Sequence, residues 1–506
     1  MTRGQDNHGG IRLGALWPHE FPLDPPVLAD IAVVDLVQDS RRVRPGVAFV
    51  ALSGIHGHGL DHSTDAAARG AAVILWDEAD AAPAVEVPCV HLPGLRARLP
   101  ELAKALFGTW PEDYPIVAVT GTDGKTTVTH LLARALEALG TPTGVIGTLG
   151  VGRPGALVES GHTTPGLIDM QRHLATLAAS GCRAVALEAS SHGLVQGRLE
   201  GVSIQVAVLT RLGSDHLDFH GSQAEYAEAK ARLFAWPGLA AAVLNVDDTL
   251  GRELAARPAC PAHVWRYSAL GAAADLSAHD VAATPEGIRF TLAVGGRRLA
   301  VQSPLFGLFQ VGNLLATLAA LHALDVEWEP AVAALQNLPG VPGRMERFQL
   351  PGDILLVVDY AHTGQALEAA LAALRPHTRG RLLVVFGCGG DRDAGKRPAM
   401  GRVACEHADA VYLTDDNPRH EDPAAIRAAV LAGCHRPAAC REVADRGHAI
   451  RAAVADARPG DVVLVAGKGH ETTQQVGDDH LPFSDRELAG ELASGRAASA
   501  RRGDSR

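Results

Sequence analysis

The sequence predicts an α/β protein with three domains and mostly parallel sheets, and three observations support that prediction. The chain has 506 residues, whereas a single domain usually has about 100 to 200. Short apolar runs recur between Ala- and Leu-rich stretches of helical periodicity, an alternation typical of βαβ units. Glycine and proline interrupt this alternation twice, in FGTWPEDYP (107–115) and in LPGVPGR (338–344).

The apolar runs place the strands, and the two interruptions place the domain boundaries. We expect domains at residues 1–108, 109–340 and 341–492, followed by a small, polar and basic disordered tail at 493–506. Parallel strands carry functional loops at their carboxyl ends, so the residues after each strand are the first candidates for a site. The predicted strands are residues 73–76, 116–119, 185–187, 206–209, 355–358, 382–386 and 462–465.

The composition excludes several classes of protein. Hydrophobic residues make up 47% of the chain and charged residues 20%, the balance of a folded globular protein. The formal net charge of -11 offers no basic face for wholesale binding of nucleic acid, so any phosphate site must be local. The seven cysteines form no CxxC pair, which fits a reducing cytosol. We expect a cytoplasmic protein, because the N-terminus shows no export signal and no apolar stretch reaches the ~18 residues of a membrane helix.

Residues 120–127, TGTDGKTT, follow a predicted buried strand and precede a helical stretch. In that setting glycines let backbone N–H groups approach phosphate oxygens, and the helix N-terminus favours negative charge. Lys125 can then reach the outer phosphates, and the Thr126 hydroxyl can bind Mg²⁺. A glycine-rich turn that only caps a helix is the alternative. The nucleotide-binding candidates here are Gly121, Thr122, Asp123, Gly124, Lys125, Thr126 and Thr127.

Several motifs together resemble a known family. TGTDGKTT resembles the TGTNGKT loop of the Mur ligases and the folylpolyglutamate synthetases, with Asp123 where those proteins usually have Asn. The other motifs are similar to the MurE type of Mur ligase, which acts on UDP-N-acetylmuramoyl-L-alanyl-D-glutamate. The resemblance extends from about residue 39 to about residue 487, with every motif in the expected order. These motifs are TTP (163–165), EASSHGL (188–194) with Gln196 and Arg198, VFGCGGDRDAGKRPAM (385–400) and DNPR (416–419).

The resemblance implies an ATP-dependent amide ligase of peptidoglycan synthesis. Its N-terminal domain would hold the UDP end of the substrate, its central domain would be a P-loop-type ATPase, and its C-terminal Rossmann-like domain would hold the incoming amino acid. Joining a carboxylate to an amine in water is uphill, so ATP first converts the carboxylate to an acyl phosphate, which the amine attacks. Alignment and charge neutralisation by Mg²⁺, cations and backbone donors supply most of the catalysis. We expect a monomer.

Glu188 and His216 are candidate metal ligands in addition to Thr126. Glu188 follows a buried run at a strand end, where a carboxylate can hold Mg²⁺ opposite Thr126, although a capping or salt-bridging glutamate is the alternative. His216 resembles the family's metal-binding histidine. Acidic and histidine neighbours of His216 leave a zinc site open as an alternative. These neighbours are Asp215, Asp218 and His220.

Lys230 lies in EYAEAKARLF, an amphipathic helical stretch in which a solvated lysine is the default. The resemblance implies instead that Lys230 is carbamylated by CO₂. This modification replaces a cation by anionic oxygens, which can hold a second Mg²⁺. The candidates for catalysis are therefore Lys125, Glu188, His216 and Lys230.

Polar residues on predicted loops match the family's contacts to the muramoyl-dipeptide, although each alone is most often a turn or cap residue. An arginine among them can grip a carboxylate or phosphate through two hydrogen bonds. Ser40, in DSRRVRPG (39–46), is by resemblance a UDP contact. The next segment, GIHGHGLDHS, departs from the family's GxxxDGHxF pattern, so uridine contacts there stay unassigned. The muramoyl-dipeptide candidates are Thr163, Thr164, Ser190, Gln196 and Arg198.

Two further nucleotide candidates rest on the resemblance. Asn313, in GLFQVGNLLA, is expected near the adenine, and Arg344, in GVPGRME, is expected to join the second and third domains around ATP. An ordinary helix or hinge residue is the alternative for both. DYAH (359–362) resembles the family's DYAHTP element, although Gly364 and Gln365 replace its Pro-Asp.

Arg392 and Arg419 follow predicted strands, and two guanidinium groups suit the carboxylates of an amino acid. By resemblance, DNPR accompanies meso-diaminopimelate, whose distal carboxylate Arg419 can pair, while Gly467 and Glu471 bind the distal amine. Ornithine and lysine also have an α-carboxylate, so both stay open as the added amino acid. The amino-acid candidates are Arg392, Asp416, Asn417, Pro418, Arg419, Gly467 and Glu471.

Two other functions stay open at this point. A folylpolyglutamate synthetase would use the same ATP loop but would add glutamate to a pterin substrate, and both the 39–46 segment and DNPR argue against it. A nucleotide-binding regulatory module without catalysis needs no second-metal lysine. The joint presence of Lys125, Glu188, His216 and Lys230 argues against such a module.

Overall fold

The computed structural model describes residues 10–16, 26–54, 57–79, 81–111, 114–213, 215, 217–257, 263–436 and 440–495. The chain divides into two compact units. Unit 1 comprises Met1–Thr120, Thr141–Ala207 and Ser214–Ala240, and unit 2 comprises Gly121–Gly140, Val208–Gly213 and Ala241–Arg506. The three consecutive domains stay a prediction. Most of the predicted tail at 493–506 lies outside the described residues.

The first hundred residues form short elements, all within unit 1. They are β1 (Ile11–Arg12), α1 (Leu13–Leu16), β2 (Ala32–Val33), β3 (Asp35–Val37), β4 (Val47–Ala51), β5 (Ser53–Gly54), β6 (Gly57–His58), α2 (Ser63–Ala68), β7 (Val73–Trp76), β8 (Cys89–His91) and α3 (Leu95–Phe107). A parallel sheet has the order β3-β4-β7-β8. Strand β4 is buried along its whole length because apolar side chains cover both faces of the sheet. Helix α3 ends at Gly108, where the first interruption was predicted.

The middle of the chain contributes elements to both units. They are β9 (Ile116–Thr120), α4 (Lys125–Ala138), β10 (Thr143–Gly147), β11 (Gly150–Arg153), β12 (Ala156–Val158), α5 (Leu167–Ala179), β13 (Ala184–Glu188), α6 (Ser191–Val195), β14 (Val206–Leu209), α7 (Leu217–His220), α8 (Gln223–Ala231), β15 (Ala241–Asn245), α9 (Thr249–Ala256), β16 (His263–Ser268), β17 (Leu276–Thr284), β18 (Gly287–Val294), β19 (Arg297–Ser303), α10 (Gln310–His322) and α11 (Trp328–Gln336). The boundary between the units falls within β14.

Each unit has its own run of paired strands in this region. In unit 1 the order is β12-β11-β10-β13-β9, with β10, β13 and β9 parallel and the two outer strands antiparallel. In unit 2 the order is β15-β16-β17-β18-β19, parallel as far as β17 and antiparallel beyond it. Helix α10 of unit 2 is apolar on nearly every side and is correspondingly buried.

The last third of the chain lies entirely in unit 2. Its elements are β20 (Glu346–Leu350), β21 (Ile354–Asp359), α12 (Gly364–Leu374), β22 (Leu382–Phe386), α13 (Lys396–His407), β23 (Ala410–Leu413), α14 (Pro423–Leu431), β24 (Cys440–Glu442), α15 (Arg446–Asp456), β25 (Val462–Ala466), β26 (Thr473–Val476), β27 (Asp479–Pro482) and α16 (Asp485–Ala493). The six-stranded sheet has the order β20-β21-β25-β22-β23-β24 and is parallel except for β20. Separate apolar clusters cover its two faces.

These observations confirm the predicted α/β class, the largely parallel sheets and the positions of the seven strands. In the C-terminal sheet the neighbouring strands β21, β25, β22 and β23 end at the same edge, so the loops that follow them are close together. Among the residues that the structure describes, no helix is both long and apolar enough to cross a membrane.

Candidate active site

The TGTDGKTT loop lies between β9 and α4 and requires glycine at two positions. Gly121 (φ +148°) and Gly124 (φ +84°) both have positive φ angles. A Cβ atom at Gly121 would lie 1.9 Å from Thr210 Oγ1, and one at Gly124 would lie 2.5 Å from Asn313 Oδ1. The loop backbone therefore approaches its neighbours more closely than any side chain permits.

Hydrogen bonds within unit 2 hold this loop in place. The backbone N–H of Thr122 donates to the Arg211 carbonyl at 2.6 Å, and the Thr122 hydroxyl accepts from Gly213 N–H at 2.7 Å. The Thr210 hydroxyl donates to the Asp123 carbonyl at 2.6 Å. The loop is thus fixed by the segment that follows β14, which the local motif alone did not reveal.

Lys125 begins α4 and folds back over the loop. Its ammonium donates to the carbonyl oxygens of Gly121 at 2.9 Å and Thr122 at 3.0 Å. Thr126 and Thr127 follow in the first turn, and both are buried. The positive helix end, the ammonium group and a threonine hydroxyl therefore lie within one turn of each other, which suits phosphate binding.

Asn313 lies on α10 against the phosphate loop, as its contact with Gly124 shows. Its amide donates to the side-chain carbonyl of Gln310 at 2.8 Å, and both residues are buried in an otherwise apolar helix. Gln310 was missed by the sequence analysis. The signal was present, because a buried polar residue one turn from Asn313 needs a partner or a function.

Arg344 lies in the second predicted interruption, just before β20. Its guanidinium is 4.6 Å from the centre of the Tyr360 ring, a cation–π distance. Its Nε atom is buried and has no hydrogen-bond partner among the described residues. Burial raises the pKa of the neighbouring Asp359, and the positive charge of Arg344 opposes that shift. Asp359 in turn accepts hydrogen bonds from the backbone of Met345 and Ala361.

The linker before Arg344 is tied to the helix that carries the phosphate loop. The Arg134 guanidinium on α4 donates to the carbonyl oxygens of Pro339 and Gly340, both at 2.9 Å. Burial lowers the pKa of Arg134. The sequence analysis did not identify Arg134, because its partners lie about two hundred residues away in the chain.

Glu188 ends β13 in unit 1, and its side chain is fully buried. The carboxylate accepts from the Thr148 backbone N–H at 2.9 Å and from the Thr148 hydroxyl at 3.1 Å. A Cβ atom at Gly147 would lie 2.3 Å from Glu188 Oε1. The carboxylate is thus fixed at a strand end, as predicted, by a loop that the motifs did not include.

The muramoyl-dipeptide candidates form one hydrogen-bonded group around Glu188. The Thr164 hydroxyl donates to the Glu188 carbonyl at 2.8 Å and accepts from the Ser190 backbone N–H at 2.9 Å. Arg198 donates to the Thr164 carbonyl at 2.7 Å and to the Gln196 side chain at 2.9 Å. Burial lowers the pKa of Arg198. Thr163 belongs to the same group, since its hydroxyl lies 3.0 Å from the Thr148 hydroxyl.

Lys230 on α8 is buried, with 1% of its surface exposed, so the expectation of a solvated lysine is wrong. Its Nζ atom lies 4.4 Å from the centre of the Tyr226 ring, one turn earlier on the same helix. Helix α8 packs against α6 and α7, and the buried residues of α8 include Tyr226, Ala229 and Lys230.

His216 lies outside the described residues, and so does the side chain of Asp218. His220 is buried, and its Nε2 atom lies 3.0 Å from the Ser191 hydroxyl. Asp215 is exposed. Within the described ranges, no group of three or more His, Cys, Asp or Glu side chains is arranged to hold a metal.

Ser40 begins the short helical turn Ser40–Arg42 in unit 1 and is buried. Ser40 and Arg69 together hold the pKa of the Asp65 carboxyl below its usual value, and the Arg69 guanidinium donates to that carboxylate at 2.8 Å. Arg42 in the same turn donates to Asp169 on α5 at 2.7 and 3.0 Å. The DSRRVRPG segment is therefore tied to the helix that follows the TTP motif.

A cavity of about 260 Å³ opens at the carboxyl edge of the C-terminal sheet. Residues that follow β21, β22, β23 and β25 line it, as expected for a parallel sheet. Four other side chains that were not among the predicted amino-acid contacts also line the cavity: Tyr360, His362, Cys388 and Lys396. Six of the seven predicted contacts line it: Arg392, Asp416, Asn417, Arg419, Gly467 and Glu471.

The seventh predicted contact, Pro418, shapes the cavity through its backbone. A Cβ atom at Gly390 would lie 1.9 Å from the Pro418 carbonyl oxygen. Arg419 donates to the Gly390 carbonyl at 2.7 Å and adopts a left-handed backbone conformation with φ +51°. Arg392 is exposed at the cavity rim. The two arginines predicted to bind carboxylates therefore belong to one cavity.

Two buried cations support the acidic residues of the cavity, and neither was predicted. Lys468 donates to the Asn417 side-chain carbonyl at 2.9 Å and to the Glu471 carboxylate at 2.8 Å. Arg446 makes two hydrogen bonds to Asp485, at 2.8 and 2.7 Å, and approaches the Asp416 carboxylate to 3.9 Å. Both cations have no exposed surface and hold the carboxylates in fixed positions.

Three family models match consecutive parts of the chain. The model described as the Mur ligase family, catalytic domain, matches residues 36–106. The Mur ligase middle domain matches residues 119–321, and the Mur ligase, glutamate ligase domain, matches residues 343–469. The motifs discussed above lie within or next to these matched ranges.

Individual proteins are similar over nearly the whole chain. The UDP-N-acetylmuramoyl-L-alanyl-D-glutamate--2,6-diaminopimelate ligase of Alkalilimnicola ehrlichii is 48% identical over 90% of this chain and 94% of its own length. A solved structure with that same enzyme name is 35% identical, with a TM-score of 0.70 over 96% of this chain and 99% of its own. The MurF ligase of Thermotoga maritima, solved with ADP, is 20% identical with a TM-score of 0.61 over 92% and 98% of the two chains, and it supports the fold alone.

Proposed function

The chain belongs to the Mur ligase family, and we propose that it joins 2,6-diaminopimelate to the D-glutamate of UDP-N-acetylmuramoyl-L-alanyl-D-glutamate while ATP becomes ADP and phosphate. It is an ATP-dependent ligase of peptidoglycan precursor synthesis. The contacts of each substrate and the order of the chemical steps are the finer parts of this proposal.

The positive and negative side chains that line the C-terminal cavity favour diaminopimelate as the added amino acid. Diaminopimelate has two carboxylates and two ammonium groups. Arg392 and Arg419 offer planar guanidinium donors to the carboxylates, while Asp416 and Glu471 offer acceptors to the ammonium groups. Ornithine and lysine lack the second carboxylate, so they would leave one arginine of the cavity without its partner.

The reaction needs two steps. A carboxylate oxygen of the substrate attacks the γ-phosphorus of ATP, a new P–O bond forms, and ADP leaves. The neutral amine of the amino acid then attacks the acyl phosphate, the C–O bond to phosphate breaks, and the ammonium loses its proton. Lys125 and the backbone donors of residues 121–124 would stabilise the negative charge that develops on the transferred phosphoryl group.

The donors present fit Mg²⁺, which prefers hard oxygen ligands. Thr126 offers a buried hydroxyl, and Glu188 offers a carboxylate fixed by two hydrogen bonds from Thr148. Mg²⁺, when bound, supplies neutralisation of phosphate charge. Thr126 of unit 2 and Glu188 of unit 1 are each a candidate Mg²⁺ ligand, and the family resemblance gives His216 the same role.

Lys230 would serve as a carbamate. A carbamate forms when a neutral amine attacks CO₂: an N–C bond forms, one C–O π bond opens and a proton is released. The product is an anion whose oxygens resemble those of a carboxylate. A buried lysine beside an aromatic ring supports this role better than the exposed lysine expected from an amphipathic helix.

The remaining contacts are assigned by position. Asn313 beside Gly124 would face the adenine, and Arg344 would reach the phosphates from the linker. Ser40 would contact UDP from the short helical turn that it begins. The hydrogen-bonded group around Glu188 would hold the muramoyl-dipeptide: Thr163, Thr164, Ser190, Gln196 and Arg198.

The test is ADP release from purified protein with ATP, Mg²⁺ and UDP-N-acetylmuramoyl-L-alanyl-D-glutamate, in the presence of one amino acid at a time. We expect meso-diaminopimelate to give the highest kcat/KM and a product whose mass corresponds to the tripeptide. Ornithine, lysine and glutamate are the comparison amino acids. Higher kcat/KM with ornithine or lysine would overturn the assignment of diaminopimelate, and ADP release that needs a pterin substrate with glutamate would overturn the proposed reaction.

A further inference from the structure

Three segments of the C-terminal domain meet at the side chain of His420, next to the amino-acid cavity. The ring Nδ1 lies 2.8 Å from Asp391 Oδ2, in the loop after β22. The ring Nε2 lies 3.2 Å from Asp478 Oδ1, in the turn between β26 and β27. His420 itself belongs to the loop after β23, so one imidazole joins three separate segments.

Both partners of the ring are carboxylate oxygens, which accept hydrogen bonds and do not donate them when ionised. A neutral imidazole has one N–H donor, whereas the protonated ring has two. Only the protonated ring therefore satisfies both Asp391 and Asp478. The hydrogen bonds to Asp391 and Asp478 raise the pKa of His420. The hydrogen bond between His420 and Asp391 also lowers the pKa of Asp391.

The charges around the ring come from each neighbouring segment. Asp391 and Asp478 face it from the other two segments. Glu421, next to His420 in its own loop, is turned to the Asp391 backbone N–H at 2.6 Å and to Arg397 at 2.8 Å. The described contacts of the ring are thus with two negative groups and with no positive one.

Two non-glycine residues beside His420 have left-handed backbone conformations. Arg419 has φ +51° and Asp391 has φ +52°. This region is unfavourable for residues with a Cβ atom, so such residues keep it only where their surroundings hold them. His420 bonds Asp391 through its ring and also through its backbone N–H at 3.3 Å. Arg419 is held between Gln475 and Gly477 of the hairpin by backbone hydrogen bonds of 3.1 and 2.7 Å.

The residues held in this way are neighbours of the two cavity arginines. Arg392 follows Asp391 directly, and Arg419 precedes His420. The Arg419 side chain also donates to Gly390 in the loop that carries Arg392. A change in the distance between these loops therefore moves both guanidinium groups relative to each other.

We propose that protonated His420 is a positioning residue that sets the spacing of Arg392 and Arg419 for the two carboxylates of the incoming diamino acid. This inference rests on the proposed function of the cavity. His420 touches no reactant in this role and acts through the two loops. Loss of its proton leaves the ring with one N–H donor for two carboxylates, so one of the three segments is released from the ring and the spacing of the arginines loosens.

The experiment compares three variants of the full chain across pH 6.5 to 9. His420→Gln is neutral throughout, and His420→Arg is cationic throughout and keeps several N–H donors. His480→Gln is the matched control, because His480 is an exposed histidine on the neighbouring strand β27. The measured quantities are kcat and the KM values for meso-diaminopimelate, ATP and the UDP-linked substrate, together with the thermal melting temperature.

We expect His420→Gln to raise the KM for meso-diaminopimelate by about twofold to fivefold at pH 6.5, the range of an exposed charge-assisted contact. At high pH the wild-type KM should approach that of His420→Gln. The KM of His420→Arg should change with pH only through the titration of the amino acid itself. The kcat, the other two KM values and the melting temperature should stay unchanged. Since His480→Gln keeps the cavity intact, it should behave as the wild type.

Equal KM values for wild type and His420→Gln at pH 6.5 would overturn the proposal, as would a loss shared by kcat and all three substrates. A KM for meso-diaminopimelate that is near the wild-type value in His420→Arg but raised in His420→Gln supports the proposal. If the wild type releases no ADP in response to diaminopimelate, the proposed function fails as well. An active wild type with an indifferent His420 leaves the proposed function standing and removes only the role of His420.

Discussion

His130 in α4 makes the folded protein sensitive to acid. The side chain is almost fully buried, and neither ring nitrogen has a hydrogen-bond partner among the described residues. Burial, with a smaller effect of the Arg134 charge, lowers the pKa of His130 from 6.5 to about 3. Below pH 6.5 the unfolded chain therefore binds a proton at His130 that the folded chain does not bind. The free energy of unfolding is highest above pH 6.5 and decreases as the pH falls toward the folded-state pKa.

The magnitude follows from the size of the shift. Each pH unit between the two pKa values changes the free energy of unfolding by about 1.4 kcal/mol. Between pH 7.5 and pH 5.0 the loss is about 2 kcal/mol, and it would approach about 5 kcal/mol below pH 3. Since a whole domain is stable by only about 5 to 15 kcal/mol, the loss at pH 5.0 is measurable.

The variant His130→Leu removes the titration and the two unsatisfied nitrogens. Hydrogen exchange of peptides covering α4, corrected for intrinsic rates, gives the free energy of opening. Between pH 7.5 and 5.0 we expect this free energy to fall by about 2 kcal/mol less in His130→Leu than in the wild type. His480→Gln, which alters an exposed histidine, should keep the wild-type dependence. Identical slopes for wild type and His130→Leu would refute the argument, since the other buried histidines are the same in both proteins.

Three further predictions concern the reaction. Lys125→Ala should lower kcat by about 100-fold to 1,000-fold, because the substitution removes a positive charge that stabilises the phosphoryl-transfer transition state. Its thermal melting should be unchanged, and near-normal turnover would contradict the ATP assignment. Lys230→Ala should abolish ligation, and formate or acetate should restore part of it by replacing the carbamate oxygens; indifference to the substitution and to added CO₂ would contradict carbamylation. Arg419→Ala should raise the KM for meso-diaminopimelate more than that for ornithine or lysine in the variant-to-wild-type comparison, because only the first amino acid has a distal carboxylate. An equal rise for all three would assign Arg419 to the common α-carboxylate.

Features that depend on neighbouring residues in the chain were predictable. The phosphate loop needs a buried strand, two glycines with positive φ and a helix start, and all three requirements are visible within residues 116–138. The cavity at the carboxyl edge of the C-terminal sheet was also predictable, because apolar runs identify parallel strands and parallel strands end at one edge. Arg392 and Arg419 thus reach one cavity although 26 intervening residues separate them.

Partners brought close only by tertiary packing were not predictable. Thr148 fixes Glu188 across 40 positions of sequence, and Arg446 meets Asp485 across 39. Nothing in the local sequence of either member identifies the other. Lys468 was closer to prediction, since a lysine two residues after the buried strand β25 needs an acidic partner, and Glu471 lies three residues later.

Lys230 shows why a residue type alone gives the wrong exposure. Lysine usually prefers solvent, and that preference predicted an exposed side chain. At about 100° per residue, however, Glu225 and Glu228 share one face of the helix, and Lys230 lies on a different face with Tyr226. The structure buries the face that carries Tyr226 and Lys230, and α6 and α7 pack against α8. These packing partners come from the EASSHGL motif and from the segment after β14. Burying an ammonium group is costly unless nearby groups compensate the charge or the amine becomes neutral. Tertiary packing, and not the sequence of α8 by itself, therefore decides what surrounds this lysine.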